Sequence, residues 1–169
     1  MIAHTDNLSA FFTSGPATPQ LSGTMKALSL KQPYAWLIAN GYLRVDDRTW
    51  GTQYRGPMLI HASKGLYESY YDYLRDSTDI PLPDKDKLEY GGIVGVANLL
   101  LCCQPGNMPA NISREQRVHF GGVHDEYFGF LFEAATPLPL LPCRGKLGIF
   151  EINVDALLAA PPPPQAELL

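Results

Sequence analysis

The chain has 169 residues, of which 46% are hydrophobic and 18% charged, and its formal net charge is -4. These values are typical of one globular domain, and an acidic chain is a poor non-specific binder of nucleic acid. No apolar run approaches the roughly 20 residues of a membrane span. The N-terminal segment also lacks the basic and apolar regions of a signal peptide, so we expect a cytoplasmic protein that does not bind membranes.

The cysteine and histidine content does not indicate a metal centre. Three cysteines, with Cys102 next to Cys103, form a poor disulfide framework, and no CxxC motif accompanies a histidine pair. His119 and His124 lie five positions apart in a polar segment, which favours a solvated loop over a metal site. We therefore expect a reduced protein without metal or cofactor.

The two ends of the chain differ in composition from its middle. Residues 1–24 are rich in Ser, Thr, Gly and Pro and are predicted to form a flexible arm. A folded domain is predicted over 25–155, followed by a Pro-rich tail over 156–169. The tail is interpreted as inert, with a polyproline ligand for another protein as the alternative.

The first patterned segment predicts a strand and then a short helix. KALSL, residues 26–30, alternates like a strand, and QPYAWLIANG follows it. Pro33 suits the first turn of a helix and Gly41 suits the stop, so we predict a helix over 33–40. Trp36 is expected to face the core.

The next two strands have opposite character. RVDDRTW, residues 44–50, has no ordinary core face, which is typical of a solvated edge strand or of the wall of a polar cleft. GPMLIHAS, residues 56–63, has apolar residues on both faces and is predicted to be central. His61 within it is interpreted as a core histidine rather than a catalyst.

The remainder alternates between clear elements and polar connections. Apolar spacing predicts an amphipathic helix over 64–78, whose four tyrosines are interpreted as core and rim. A Pro- and Asp-rich loop over 79–90 precedes GGIVGVANLLLCC, residues 91–103, the clearest strand of the chain. Residues 104–125 are predicted to be a long polar connection.

The last segments complete the predicted fold. Phe128, Phe130 and Phe132 share one side of an aromatic strand within 126–142, and 144–158 contains a final strand and a helical end. Few short helices and closely spaced strands predict an α+β fold. We expect a mixed, mainly antiparallel sheet that curls into a partly open barrel, with two or three short helices.

Arginines and aromatic rings are concentrated in one part of this acidic chain. Residues 26–64 hold six Lys or Arg against two Asp, whereas 65–90 hold three against seven Asp or Glu. Arg48, Trp50 and Tyr54 lie within seven positions, and guanidinium groups with flat rings are suited to single-stranded nucleic acid. The alternatives are a simple ion pair between Arg48 and a neighbouring aspartate, and a Trp that only packs.

Two Arg-Gly steps are also predicted to open strands. Arg55-Gly56 precedes the central strand, and Arg144-Gly145 precedes the last one. Arg55 is interpreted as a residue that holds the barrel together rather than a ligand-binding group.

Several motifs together resemble the ASCH domain, a branch of the PUA-like superfamily. SLKQPYAWLIANG, DDRTW and YRGPMLIHASK carry the resemblance, and GIVGVANL and RGKLGIFEI resemble the closing strands, over about residues 26–154. The resemblance implies a pseudo-barrel with a cleft beside the first helix. Members of the superfamily bind RNA or modified nucleobases; some small ones are similar to amidohydrolases of N4-acetylcytidine, and others are reported as nucleases or occur in transcription coactivators.

The resemblance also implies a set of cleft residues. The residues that match the family's cleft positions are Lys31, Gln32, Arg48, Trp50 and Lys64, with Ser29 and Tyr54 as weaker candidates and Arg44 as a further ligand-binding candidate. The chain departs from the family at one point, because Leu43 stands where many members have a lysine. Arg44 follows one position later, and guanidinium does not serve as a base in proteins.

Three functional hypotheses follow from these residues. The first is recognition of RNA or of a modified nucleoside in the cleft. The second is a hydrolase of the same cleft, acting on an acylated cytidine or on RNA, with Asp46 as base and Lys31 or Lys64 as electrophilic stabiliser. The third is a regulatory protein-interaction domain that uses the arm and the tail.

Overall fold

The computed structural model describes residues 20–107, 109–110 and 126–161. Within these ranges the chain forms an α+β fold, as predicted. The elements in chain order are β1 (Thr24–Gln32), α1 (Tyr34–Ala39), β2 (Val45–Arg48), β3 (Gly56–Leu66), α2 (Glu68–Ser77), a 3-10 turn (Lys85–Lys87), β4 (Gly92–Cys103), β5 (Phe128–Pro142), β6 (Ile149–Asn153) and α3 (Val154–Ala159).

The strands form one mixed sheet in the order β2-β5-β4-β3-β1-β6. Only β1 and β3 pair in parallel among these strands; the other neighbours are antiparallel. The apolar strand β3 is central, as its sequence predicts, and the polar strand β2 is an edge. The sheet is not closed, because its two edge strands, β2 and β6, do not pair with each other.

The sheet curls until the β2 edge comes close to β1. Three strands separate the two in the sheet, so a flat sheet would keep them roughly 19 Å apart. Nevertheless Nη2 of Arg48 on β2 donates to the backbone oxygen of Ser29 on β1 at 3.0 Å. Pairing between β1 and β6 ends at Leu28, which leaves this oxygen at an unpaired edge. A side-chain contact therefore bridges the open side of the sheet.

Apolar side chains fill both faces of the sheet. The larger cluster includes Leu37 and Ile38 of α1 together with Phe130 and Phe132 of β5. These four residues are at most 1% exposed. The smaller cluster on the opposite face includes Ala27, Leu59, Phe150 and Val154, where α3 packs. Trp36 is half-buried: it packs against the larger cluster, and its ring stacks on Tyr42 at a centroid distance of 5.3 Å.

Two sequence predictions about element boundaries are wrong. The helix predicted from Lys64 begins at Glu68, because β3 continues to Leu66 and pairs there with β1. The Arg144-Gly145 step does not open a strand, because β6 begins at Ile149 after a turn in which Gly148 takes a φ of +68°. The prediction for Arg55-Gly56 is confirmed, since Gly56 is the first residue of β3.

The start of helix α3 is hydrogen-bonded to the segment that precedes β1. Asn153 Oδ1 accepts from Ala156 N at 2.9 Å and begins the helix, and Val154 N donates to Gly23 O at 2.8 Å. Helix α3 thus continues the described fold to Ala159.

Several sequence predictions concern residues outside the described ranges. Among them are most of the arm, the last eight tail residues, His119 and His124. The protein-interaction hypothesis accordingly stays a prediction. Along the described residues, the helices are all too short or too polar for one to cross a membrane.

Candidate ligand-binding cleft

A cleft of about 550 Å³ opens where the edge strand β2 approaches the end of β1. Polar and aromatic side chains from several elements surround it. Its lining residues are Ser29, Leu30, Lys31, Tyr34, Asp46, Asp47, Arg48, Ser63, Tyr67, Ser69, Tyr70, Tyr127 and Leu147.

Four of the residues predicted for the site lie together in this cleft. Ser29 and Lys31 come from β1, while Asp46 and Arg48 come from β2. They are far apart in the sheet order, and it is the curl of the sheet that brings them to one cavity. The polar strand β2 is therefore both an edge and a cleft wall, the two alternatives that its sequence leaves open.

Gln32 is placed behind the cleft and does not line it. Its side chain is 1% exposed, its Oε1 accepts from Trp36 N at 3.0 Å, and its Nε2 donates to Glu89 O at 2.7 Å. These bonds satisfy a free N–H at the start of α1 and fasten the loop before β4. Gln32 thereby fixes the elements around the cleft.

The four other predicted residues also lie outside the lining. The Trp50 ring packs edge-on against Phe130 at 5.1 Å, and the Tyr54 hydroxyl donates to a backbone oxygen three positions along the chain. Arg44 reaches the backbone oxygen of β5 at 3.4 Å, and Lys64 is an exposed strand residue. The structure therefore does not bring Trp50, Tyr54, Arg44 or Lys64 to the cavity.

Asp46 and Arg48 form an ion pair in the wall of the cleft. Nε of Arg48 lies 2.5 Å from Oδ2 of Asp46, and the two side chains are 22% and 11% exposed. Burial raises the pKa of the Asp46 carboxyl above its usual range, and the charge and hydrogen bond of Arg48 oppose that rise. The Trp50 ring lies under the guanidinium, with Cζ 5.9 Å from the ring centroid. Trp50 thus packs against the guanidinium group of Arg48 without lining the cleft.

Three tyrosines form the opposite wall. The rings of Tyr34 and Tyr70 stack at 4.9 Å, and Tyr67 meets Tyr34 edge-on at 5.2 Å. Burial, and then the neighbouring tyrosines and aspartates, raise the pKa of Tyr34 above its usual range, and burial raises the pKa of Tyr70 to about 12. Nζ of Lys31 lies 4.8 Å from the centroid of the Tyr67 ring, so the ammonium group lies over one face of that ring.

The sequence interpretation missed this aromatic wall. The tyrosines of the second helix are visible in the sequence, but their helical spacing predicts only core and rim positions, because it does not show what a ring faces. Tyr34 lies inside a motif that already predicts the first helix, and Ser63 resembles an ordinary strand residue. The signal that could have found the wall is the presence of tyrosines just after two strands that pair with each other. Tyr34 follows β1, and Tyr67 and Tyr70 follow β3.

The cleft can offer three kinds of contact to one ligand. Ring faces of the tyrosines can stack on a planar group, and carboxylates of Asp46 and Asp47 can accept hydrogen bonds from amino groups. The exposed ammonium of Lys31 can contact an anionic or hydroxyl group. Across the described residues, three or more His, Cys, Asp or Glu side chains do not gather in a way that could hold a metal ion.

Comparison with known proteins adds no family assignment. No protein-family model and no curated protein sequence matches this chain. The resemblance to the ASCH domain therefore stays a prediction based on its motifs.

Proposed function

We propose that this chain is an ASCH-type, PUA-like domain that recognises RNA or a modified nucleoside in the cleft between β1 and β2. One observation carries the proposal: Ser29, Lys31, Asp46 and Arg48 line the same cavity as a wall of three tyrosines. The curled, mainly antiparallel sheet with a helix beside the cleft is compatible with the pseudo-barrel that the motifs imply.

The size and chemistry of the cleft favour one nucleoside unit. Its volume of about 550 Å³ lies within the range of small-ligand pockets, which is roughly 300–1,000 Å³. A base can stack on Tyr67, which is 46% exposed, while its exocyclic amino or acylamino group donates to a carboxylate of β2. This arrangement suits a flipped or terminal base better than a duplex, because stacking requires an exposed base face.

Lys31 gives the cleft an exposed positive charge at its rim. In a chain of net charge -4, such a local charge suits one phosphate or ribose group rather than a long stretch of backbone. We therefore expect affinity for single nucleosides, nucleotides and RNA ends, and weak affinity for double-stranded nucleic acid.

Calorimetric titration with cytidine, N4-acetylcytidine, other modified nucleosides and short single-stranded RNA tests this function. Tyr67→Ala should weaken binding of the preferred ligand by about tenfold, because one stacking contact is worth about 1–3 kcal/mol. Tyr42→Ala is the matched control, since Tyr42 is 42% exposed, stacks on Trp36 and does not line the cleft.

Equal affinities in Tyr67→Ala and in Tyr42→Ala would contradict the proposed binding mode. Absence of binding by the intact protein to every nucleoside and RNA would contradict the function itself. Circular dichroism of each variant verifies that the fold is retained.

A hydrolase of the same cleft is the second candidate, and the raised pKa of Asp46 favours it. Burial raises the pKa of this carboxyl above its usual range, in the direction that general acid–base catalysis near neutral pH favours. Lys31 would be the electrophilic stabiliser because it lines the cleft, whereas Lys64 does not. Leu43, at the family's lysine position, is 2% exposed in the core and offers no such group.

Turnover of N4-acetylcytidine and of short RNA separates the two candidates. If Asp46 is the base, Asp46→Asn should lower kcat by about 100-fold or more while ligand affinity changes little. Wild-type turnover in Asp46→Asn would exclude this role for Asp46.

A further inference from the structure

A serine and a histidine face each other across two neighbouring strands at the edge of the cleft. Ser29 on β1 and His61 on β3 are direct partners in the parallel register. Ser29 Oγ lies 3.1 Å from Nδ1 of His61, which is hydrogen-bonding distance. Ser29 is half-buried and lines the cleft, whereas His61 is 2% exposed behind it.

The second nitrogen of His61 determines the direction of this hydrogen bond. Nε2 lies 3.1 Å from the backbone oxygen of Cys143, and a carbonyl oxygen can only accept. In the neutral ring Nε2 therefore carries the proton and donates to Cys143 O. Nδ1 then has a free lone pair and accepts the hydrogen bond that the Ser29 hydroxyl donates.

We propose that Ser29 and His61 form a nucleophile–base pair that removes an acyl group from a ligand in the cleft. The pair has the three parts of an activated serine: a serine that lines the cavity, a base within reach of its hydroxyl, and a fixed group that orients the base. That the acyl donor is a nucleoside rests on the function proposed above, whereas the acyl transfer itself does not.

The reaction balances without a metal or a redox partner. Ser29 Oγ attacks the acyl carbon of an amide or ester while Nδ1 of His61 takes the hydroxyl proton. The bond from carbon to the leaving nitrogen or oxygen then breaks, and that atom receives the proton from His61. In a second step water attacks the acyl-serine, His61 takes a proton from water and returns it to Ser29 Oγ, and a carboxylic acid leaves.

Two positively charged side chains lie near Ser29 in the cleft. Nη2 of Arg48 is already at Ser29, bonded to its backbone oxygen at 3.0 Å. Lys31 lies two positions along β1, at an irregularity in its pairing with β3, and it lines the same cleft as Ser29. Both cations line the cleft, which allows them to stabilise an oxyanion.

The chain passes so close to this pair that only glycine fits. A Cβ at Gly145 would lie 2.5 Å from Cε1 of His61 and 2.6 Å from Oγ of Ser29. Gly145 thus holds the two side chains against each other from the loop that precedes β6. A side chain at this position would separate Ser29 from His61.

An activated ester tests the pair independently of nucleoside binding. We expect p-nitrophenyl acetate to release p-nitrophenolate and to leave one acetyl group on the peptide that contains Ser29, detected by mass spectrometry. Ser29→Ala should abolish that modified peptide, and His61→Gln should slow its formation by about 100-fold. Ser77→Ala, an exposed serine of α2 outside the cleft, is the control and should behave like the wild type.

The outcomes that overturn the proposal are separate from those that overturn nucleoside recognition. Acetylation confined to lysines, or an unmodified Ser29 peptide in the folded wild-type protein, would exclude Ser29 as a nucleophile. Equal rates of Ser29 acetylation in the wild type and in His61→Gln would exclude His61 as its base. A protein that acetylates Ser29 but binds no nucleoside would retain the acyl transfer and lose only the proposed ligand.

Discussion

At the scale of single residues, Arg48 has the most contacts that matter to the cleft. It pairs with the buried carboxyl of Asp46, bonds to the Ser29 backbone and lies over Trp50. The sequence offers an ion pair and a cleft residue as alternatives for Arg48, and the structure shows both. Because Asp46 is buried, the pair is more than a surface contact of small energy.

Replacement of Arg48 should make stability depend on pH. In Arg48→Met the burial of Asp46 is no longer opposed, so the pKa of Asp46 in the folded protein rises further. When the pKa of a carboxyl is raised on folding, the folded protein loses stability as the pH rises from the unfolded-state pKa through the raised value. The free energy of unfolding should therefore fall by about 2–3 kcal/mol more at about pH 7 than at about pH 4, as urea titration can measure.

Arg55→Met is the matched control for this measurement. Arg55 is exposed and bonds only to the backbone oxygens of Thr52 and Tyr54 in the described contacts, so its loss should be nearly independent of pH. A pH-independent loss in Arg48→Met would contradict the compensation of Asp46 by Arg48.

At the scale of elements, helix α1 determines the position of Tyr34 in the aromatic wall. It lies on the sheet so closely that a Cβ at Gly95 of β4 would be 2.5 Å from Cβ of Ala39. The bonds of Gln32 to the start of the helix fix its other end. Tyr34, the first residue of α1, is held beside β2 by these two contacts.

Gly95→Ala should push α1 away from the sheet. We expect a loss of about 1–3 kcal/mol in the free energy of unfolding, because overpacking at a close contact is destabilising. Ala39→Gly removes the opposing Cβ, so the double variant should lose less than the sum of the two single losses in denaturant titrations. Strictly additive losses would show that the contact does not limit the approach of α1.

Most elements could be predicted from the sequence, because their signals are local. Alternating apolar residues mark β3 and β4, and Gly41 with a φ of +76° ends α1 as its position predicts. The start of α2 could not be predicted, because Lys64–Leu66 continue β3 through pairing with a distant strand. The position of the Arg144-Gly145 step could not be predicted for a related reason, since Gly145 packs against His61, a residue distant in the sequence, and lies outside the strands.

At the scale of the whole molecule, the curl of the sheet creates the cleft. Motifs in the sequence point to Lys31, Asp46 and Arg48, but they give no distance between β1 and β2. The same motifs also point to Gln32 and Trp50. In the fold, Gln32 is buried in the interior and Trp50 packs against Arg48. Residue type predicts which groups can bind a ligand, whereas the curvature of the sheet decides which of them face the same space.

One measurement tests nucleoside recognition in this cleft most directly: the amide NMR spectrum of the intact protein during titration with N4-acetylcytidine and cytidine. We expect shifts that saturate and that cluster at Ser29, Lys31, Asp46 and Tyr67, because these residues line the cavity. The amide signals of the separate open depression lined by Gly51, Gln53 and Arg55 should stay unchanged. Saturating shifts at that depression, or no shifts at the cleft with either nucleoside, would contradict nucleoside recognition by this cleft.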